Sequence, residues 1–147
     1  MLTIRPPQST DRAAWDNLYQ GYAAFYQVVQ TAEMRERVWG WLMDPAHECQ
    51  CLMAFDAQGT ALGLAHFRAF ARPLSASTGG FLDDLFVDPA ARGSQAGTQL
   101  IAAIKAHAEQ AHWSVVRWIT ADNNYRARSA YDKVATRTAW ITYDIKL

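Results

Sequence analysis

Hydrophobic positions along this chain fall into two rhythms, one of threes and fours and one of twos. Trp15, Leu18, Tyr19, Tyr22, Phe25 and Tyr26 follow the first and predict a helix with an aromatic-rich face. Ser9 or Thr10 stands where its N-cap is expected, and Asp11 is favourable in the first turn. Ahead of it, residues 2–5 read as a short strand stopped by Pro6 and Pro7, neither of which can donate a ladder hydrogen bond. A second helix begins near Thr31, with Met34, Val38, Trp41 and Leu42 as its apolar stripe, and ends at Asp44-Pro45.

The rhythm of twos then takes over. Residues 49–55 and 61–70 read as strands joined by the turn Asp56-Ala57-Gln58-Gly59. Residues 72–80, rich in Ser, Thr, Gly and Pro, read as a loop before a third strand over 81–87, closed by Asp88-Pro89. A glycine-containing turn leads into a helix with Leu100, Ile101, Ile104, Ala108 and Ala111 on one side. Residues 115–120 form a near-continuous apolar strand, expected where both faces are covered. A helix over 124–134 and a strand over 139–146 finish the chain. The order β-α-α-β-β-β-α-β-α-β predicts an α+β fold in one domain, residues 1–147, with no internal repeat.

Composition narrows the function classes. At 147 residues, half of them hydrophobic and 19% charged, the chain is globular in character. Fourteen Lys and Arg balance fourteen Asp and Glu, so bulk binding to nucleic acid or to a membrane surface is not expected. Cys49 and Cys51 are too few and too close for a disulfide framework, and they read as small apolar groups on a strand rather than metal ligands. The start, Met-Leu-Thr-Ile-Arg-Pro-Pro, lacks the apolar run of a secretory leader, and the chain reads as soluble and cytoplasmic.

Candidate chemistry gathers in two places. After the strand ending at Val87, the turn Arg92-Gly93-Ser94-Gln95-Ala96-Gly97 opens directly into a helix. Free backbone N–H groups and the positive end of a helix dipole then point to one spot, beside the charge of Arg92, and suit a pyrophosphate or another compact anion. The same residues also fit an ordinary glycine-dependent helix entry. Neither a Walker loop nor a complete G-x-G-x-x-G is present. Further on, the strand before Asn124 ends and another helix begins. Tyr131 lies seven residues after Asn124, about two turns away on the same face, where it serves as a proton donor or as a core aromatic.

These two segments resemble a known family. Arg92-Gly93-Ser94-Gln95-Ala96-Gly97 resembles the R/Q-x-x-G-x-G/A acyl-CoA signature of the GNAT superfamily of N-acyltransferases, and Asn124-x-x-Ala127-x-x-x-Tyr131 resembles its second signature. The order of elements agrees along essentially the whole chain. Residues 82–87 and 131–135 look most like the small bacterial branch related to polyamine, diamine and histone acetyltransferases.

The resemblance implies a mixed, mostly antiparallel sheet splayed at the cofactor site and flanked by about four helices. Acetyl-CoA is the implied co-substrate, with no metal. Leu85, Phe86 and Val87 would hold the pantetheine arm through their backbone, with an N–H near Val87 facing the oxyanion. Arg92, Gly93, Ser94, Gln95, Ala96, Gly97 and Thr98 would wrap the pyrophosphate. Asn124 would contact the cofactor arm, Lys133 would approach the nucleotide end, and Tyr131 would protonate the departing thiolate. The first helix pair would wall the acceptor cleft, where Tyr22 and Tyr26 hold a cationic amine by cation–π contact and Glu33 reads a second charge.

A small-molecule amine, polyamine, diamine or amino-acid-like, is therefore the expected acceptor. Its ammonium needs a base, and Asp83 and Asp84 are the candidates. Successive strand residues face opposite ways, so one of the two is expected in the cleft, and Asp83 is preferred. His66, His107 and His112 have no evident partners in sequence and read as surface or satisfied core.

Two departures stand out. Gln95 occupies a position where the family usually has glycine, which adds bulk and, if φ is positive, strain. It keeps open a non-catalytic acyl-CoA-binding module or sensor, while a protein lysine or N-terminal acetyltransferase would share the same chemistry. Second, only one strand follows residue 134, where many relatives end in two. An incomplete sheet edge predicts pairing with another subunit, a homodimer.

Overall fold

The computed structural model describes residues 1–147. Its elements are β1 (Thr3–Arg5), α1 (Arg12–Phe25), α2 (Ala32–Met43), β2 (Gln50–Phe55), β3 (Ala61–Arg72), β4 (Ser77–Val87), α3 (Ala96–Gln110), β5 (Val116–Arg117) and α4 (Tyr125–Tyr131). One five-stranded sheet has the order β1-β2-β3-β4-β5, antiparallel as far as β4 and parallel between β4 and β5. Alternation along β2 shows how the sheet is covered. Cys51, Met53 and Phe55 join Trp15, Leu18, Trp39 and Leu64 under α1 and α2. Ala54 faces the other way, with Ala65, Phe67, Leu82, Leu100 and Ile104 under α3. Two helical layers thus sandwich a mixed sheet, the arrangement the resemblance implies.

Local chemistry explains the helix positions. Thr31 caps α2 by accepting from the Met34 N–H at 3.2 Å. Arg35 Nε donates to Asp16 Oδ1 at 2.7 Å and ties α2 to α1. The expected stripe on α2 is rotated by part of a turn. Trp39 is buried and packs on Trp15 with ring centroids 5.2 Å apart, whereas Met34 and Trp41 are exposed. The deep indole–indole contact selects that rotation. Ahead of α1, residues Ser9–Asp11 form a single 3-10 turn, and Asp11 rather than Ser9 or Thr10 supplies the tie, accepting from the Gln8 N–H at 2.7 Å.

Three expectations about strands require correction. Residues 72–80 are not one loop: the turn occupies only Pro73–Ser75 and Ala76, and β4 starts at Ser77. Gly79 and Gly80 sit inside that strand because neighbours use the space their side chains would fill, Phe70 at the first and Trp113 at the second. A Cβ on Gly80 would lie 2.4 Å from the Trp113 ring. Next, the strand expected over 115–120 pairs only at Val116–Arg117, and Ile119 is exposed. Finally, residues 139–146 form no strand in this chain, because a strand needs a neighbour and none is present on either side.

Candidate active site

The site forms where the sheet opens. The parallel pairing of β4 with β5 extends over only Gly80↔Val116 and Phe81↔Arg117, after which β4 runs on unpaired at that edge. The Asp88 N–H bonds to Leu62 O at 2.8 Å. Ladder alternation then turns the Phe86 N–H towards β3 and leaves those of Leu85 and Val87 facing the open edge. A groove of about 310 Å³ lies along this edge. Its walls include Leu85, Phe86, Val87, Tyr26, Asn124 and Tyr131, and its floor is the turn from Arg92 to Thr98.

The turn is built to present N–H groups. Asp88 Oδ1 accepts from the Ala90 N–H at 2.9 Å and starts a 3-10 turn over Pro89–Ala91. Gly93 follows at φ +88° and Gln95 at φ +67°, both left-handed, so the chain reverses into α3 with the N–H groups of Gly97 and Thr98 unbonded within the helix. Their dipoles, with Arg92 beside them, make this end of the groove suited to a compact anion. Gln95 therefore stands in the conformation that glycine adopts most readily.

On the far wall, Asn124 Oδ1 caps α4 by accepting from the Ala127 N–H at 3.4 Å. Tyr131 packs edge-on against Trp118, centroids 5.3 Å apart. Burial, with a smaller effect of Tyr26, raises its phenol above the ordinary value, so it stays protonated and available as a donor. Lys133 lies outside the groove lining.

A second cavity of about 310 Å³ shares no lining residue with the groove; Asp84, the residue before Leu85 of the groove, lines it. Both Asp83 and Asp84 line it, against the expectation that only one would. The cause is a β-bulge. His66 pairs with Asp84 while Phe67 pairs with Leu82, so Asp83 is an extra residue in β4. Leu82 and Leu85 consequently both face α3, and the two carboxylates share the face towards α1 and α2.

The two acids differ in environment. Asp84 Oδ2 accepts from Tyr19 Oη at 2.9 Å and pairs with His66 Nδ1 at 2.8 Å. Trp15 Nε1 donates to His66 Nε2 at 3.0 Å. An indole N–H can only donate, so the imidazole proton resides on Nδ1 and points at the carboxylate. Burial pushes the Asp84 carboxyl up, but His66, Tyr19 and Tyr22 outweigh it and leave the group below its ordinary value. Asp83 goes the other way: burial raises it more than Arg68, bonded at 3.1 Å, lowers it, and Asp84 adds to the rise. Burial and the nearby carboxylates push the Cys49 thiol, on the cavity wall, up to about 11, so it is a poor nucleophile.

Sequence reasoning missed His66 as a partner of the acids, along with Arg68 and the stacked pair Trp41–His47 on the cavity wall. The local signal for His66 was a polar residue within the apolar run of β3, and its partners lie 18 and 51 residues away in sequence. Tyr22 lines neither cavity; its ring packs between Tyr19 of the acid cavity, at 6.0 Å, and Phe86 and Tyr26 of the groove, at 6.1 and 4.9 Å between centroids. Glu33 is exposed in the first turn of α2 and lines neither cavity.

Comparison with known proteins gives this geometry a context. Residues 15–135 match the Acetyltransferase (GNAT) family. The chain is 27% identical over 143 residues to the D-amino-acid N-acetyltransferase HPA3 of Saccharomyces cerevisiae, covering 97% of this chain and 89% of that protein. In fold it resembles a ribosomal-protein-alanine N-acetyltransferase from Brucella melitensis, with TM-score 0.82 and 20% identity over 100% of this chain and 99% of the other. An aminoglycoside N-acetyltransferase in complex with CoA superposes with TM-score 0.84 at 19% identity, over 99% of this chain and 95% of that one.

Proposed function

Since the chain belongs to the GNAT acetyltransferase family, we propose that it moves an acetyl group from acetyl-CoA directly to the primary amine of a small, amino-acid-like acceptor held in the Asp83–Asp84 cavity. The observation that carries this reading is the succession of the two cavities along β4: Asp83 and Asp84, of opposite pKa displacement, line one, and the next residues, Leu85 to Val87, line a groove that also holds unpaired N–H groups. Acetyl-CoA would lie along Leu85, Phe86 and Val87 with its pyrophosphate over the turn from Arg92 to Thr98. The thioester carbonyl then meets the outward N–H of Val87.

Asp84, kept ionised by its donors, suits the task of holding the acceptor ammonium rather than taking its proton. Asp83, raised above the ordinary aspartate value by burial, is the better base. The freed amine adds to the acetyl carbonyl, the C–N bond forms, and the oxyanion is held by the Val87 N–H. Collapse breaks the C–S bond: Tyr131 gives its phenolic proton to the departing sulfur, and the second proton, lost from the acceptor nitrogen, returns to the phenolate through water, while the first leaves Asp83 to solvent. The products are the amide and CoA in its thiol form.

Arg68 supports an amino-acid-like acceptor, since its guanidinium borders the same cavity and can take a carboxylate, and the yeast relative is a D-amino-acid N-acetyltransferase. A diamine is the second reading, favoured by charge: Glu48, Asp83 and Asp84 face the cavity against the single guanidinium of Arg68. We place the enzyme in the cytoplasm and as a homodimer in the same reading.

A CoA-release assay with D- and L-amino acids and diamines tests the acceptor. Arg68→Ala should raise KM for an amino acid at least tenfold and leave or lower it for a diamine. Equal effects on both classes would remove the carboxylate role of Arg68. Titration calorimetry with acetyl-CoA tests the groove, and no heat up to millimolar ligand would sink the catalytic reading.

A further inference from the structure

His66 is 1% exposed, the polar residue among otherwise apolar buried ones, and the proposed transfer gives it no direct part. Both of its ring nitrogens are engaged. Nε2 accepts from Trp15 Nε1 at 3.0 Å, and Nδ1 faces Asp84 Oδ2 at 2.8 Å. Trp15 is itself fully buried, held between Tyr19 and Trp39 with ring centroids 5.3 and 5.2 Å away.

This arrangement selects one form of the imidazole. A proton on Nε2 would set two N–H groups against each other and leave the buried indole donor without an acceptor. Imidazolium carries a proton on both nitrogens, so it meets the same conflict. The consequence reaches the acceptor cavity. An uncharged Nδ1–H donor stabilises the Asp84 carboxylate without cancelling its charge, whereas an imidazolium 2.8 Å away would cancel it.

Other groups surround the ring, but none of them reaches Nε2. Tyr19, on α1, meets the imidazole edge-on with centroids 4.7 Å apart and donates to the same carboxylate. Cys51, on β2, is paired opposite His66 in the ladder. Asp83, on β4, lines the same cavity and is bonded to Arg68 of β3.

We propose that Trp15 is a positioning residue for the acceptor: its indole N–H occupies His66 Nε2, holds the imidazole in the Nδ1–H form, and so keeps the Asp84 carboxylate charged for the acceptor ammonium. The role rests on the reading of Asp84 as the ammonium anchor and adds the group that maintains it. His66, with no free nitrogen, is excluded as the base.

The test compares the parent with Trp15→Phe, His66→Gln and the double variant. A glutamine amide can donate to Asp84 and accept from the indole, and it does not titrate. Relative to the parent, KM for the amine in Trp15→Phe is expected to rise about tenfold between pH 8 and pH 5.5, as a released imidazole gains its second proton. His66→Gln and the double variant are expected to show the parent's pH profile in shape, whatever their rates. Nitrogen-15 NMR reads the ring without any acceptor. In the parent the His66 signals, identified among four histidines by their loss in His66→Gln, should keep the Nδ1–H form over the same range. An imidazolium in the parent overturns the proposal, and this titration decides even if Trp15→Phe does not fold. A Trp15→Phe profile that follows the parent's, or a rise that persists in the double variant, overturns the role in acceptor binding. A parent that keeps the Nδ1–H form but turns over no amine overturns the acceptor reading of Asp84, and with it this role, while the single form of the ring stands.

Discussion

At Gln95 one side chain sets a conflict between sequence and backbone. Its φ of +67° is left-handed, at a cost of about 1 kcal/mol for a residue with a Cβ. Gln95→Gly removes that strain, with part of the gain returned as unfolded-chain entropy. The variant is expected to be as stable as the parent or up to about 1 kcal/mol more so in urea unfolding, and to bind acetyl-CoA more tightly by calorimetry. Weaker binding would mean that the glutamine side chain itself contacts the cofactor. Tyr131 gives a complementary case. With its phenol raised by burial, it is a donor across the neutral range, so Tyr131→Phe should lower kcat by about a hundredfold, the scale of general acid catalysis, with cofactor affinity unchanged.

The acids define a pH dependence of opposite signs. Asp84 has a folded-state pKa below its unfolded value. It therefore adds stability that is fully present above the unfolded pKa of about 3.9 and is lost as pH falls through the folded one. Asp83 has a raised pKa, so its ionisation costs stability above that value, while the proposed role as base requires it ionised. The acid limb of kcat/KM should thus lie above the ordinary aspartate range and vanish in Asp83→Asn along with most of the rate. His66→Ala removes a donor and should raise the Asp84 pKa, shifting the acid unfolding midpoint upward. An unmoved midpoint would show that Tyr19 and Tyr22 hold Asp84 without the imidazole.

At the scale of elements, the bulge in β4 does the arranging. A regular strand would send one of the two aspartates under α3, into the layer of Leu82, Ala65 and Phe67. Because Asp83 is the extra residue, deleting it should restore simple alternation while Leu82, Asp84 and Leu85 keep their faces. The deletion variant is expected to fold with a melting temperature a few degrees lower and to lose most of its kcat. A comparable deletion of Leu82 would carry the Asp83 carboxylate into the layer under α3 in place of a core leucine and should not fold. The contrast between the two, read by circular dichroism and CoA release, separates a device for the site from a defect in the sheet.

Across the whole molecule, what could be read in the sequence follows the distance over which each feature is specified. The helices, β2 and the phosphate-type turn were legible because spacing, caps and glycines within about ten residues determine them. The chain of bonds from Trp15 through His66 to Asp84 was not, since it depends on register between strands and on the bulge. The loop expected over 72–80 failed because its glycines answer to Trp113 and Phe70 rather than to a turn. The tail is the reverse case: its alternation is plain in sequence, yet residues 139–146 form no strand. Trp118, in the segment after β5, packs edge-on against Tyr131 with centroids 5.3 Å apart. Trp118→Ala should therefore loosen the support of the proposed proton donor. In that variant kcat by CoA release is expected to fall while acetyl-CoA affinity by calorimetry stays near the parent's. If kcat instead matches the parent, Tyr131 holds its geometry without the indole, and Trp118 serves packing alone.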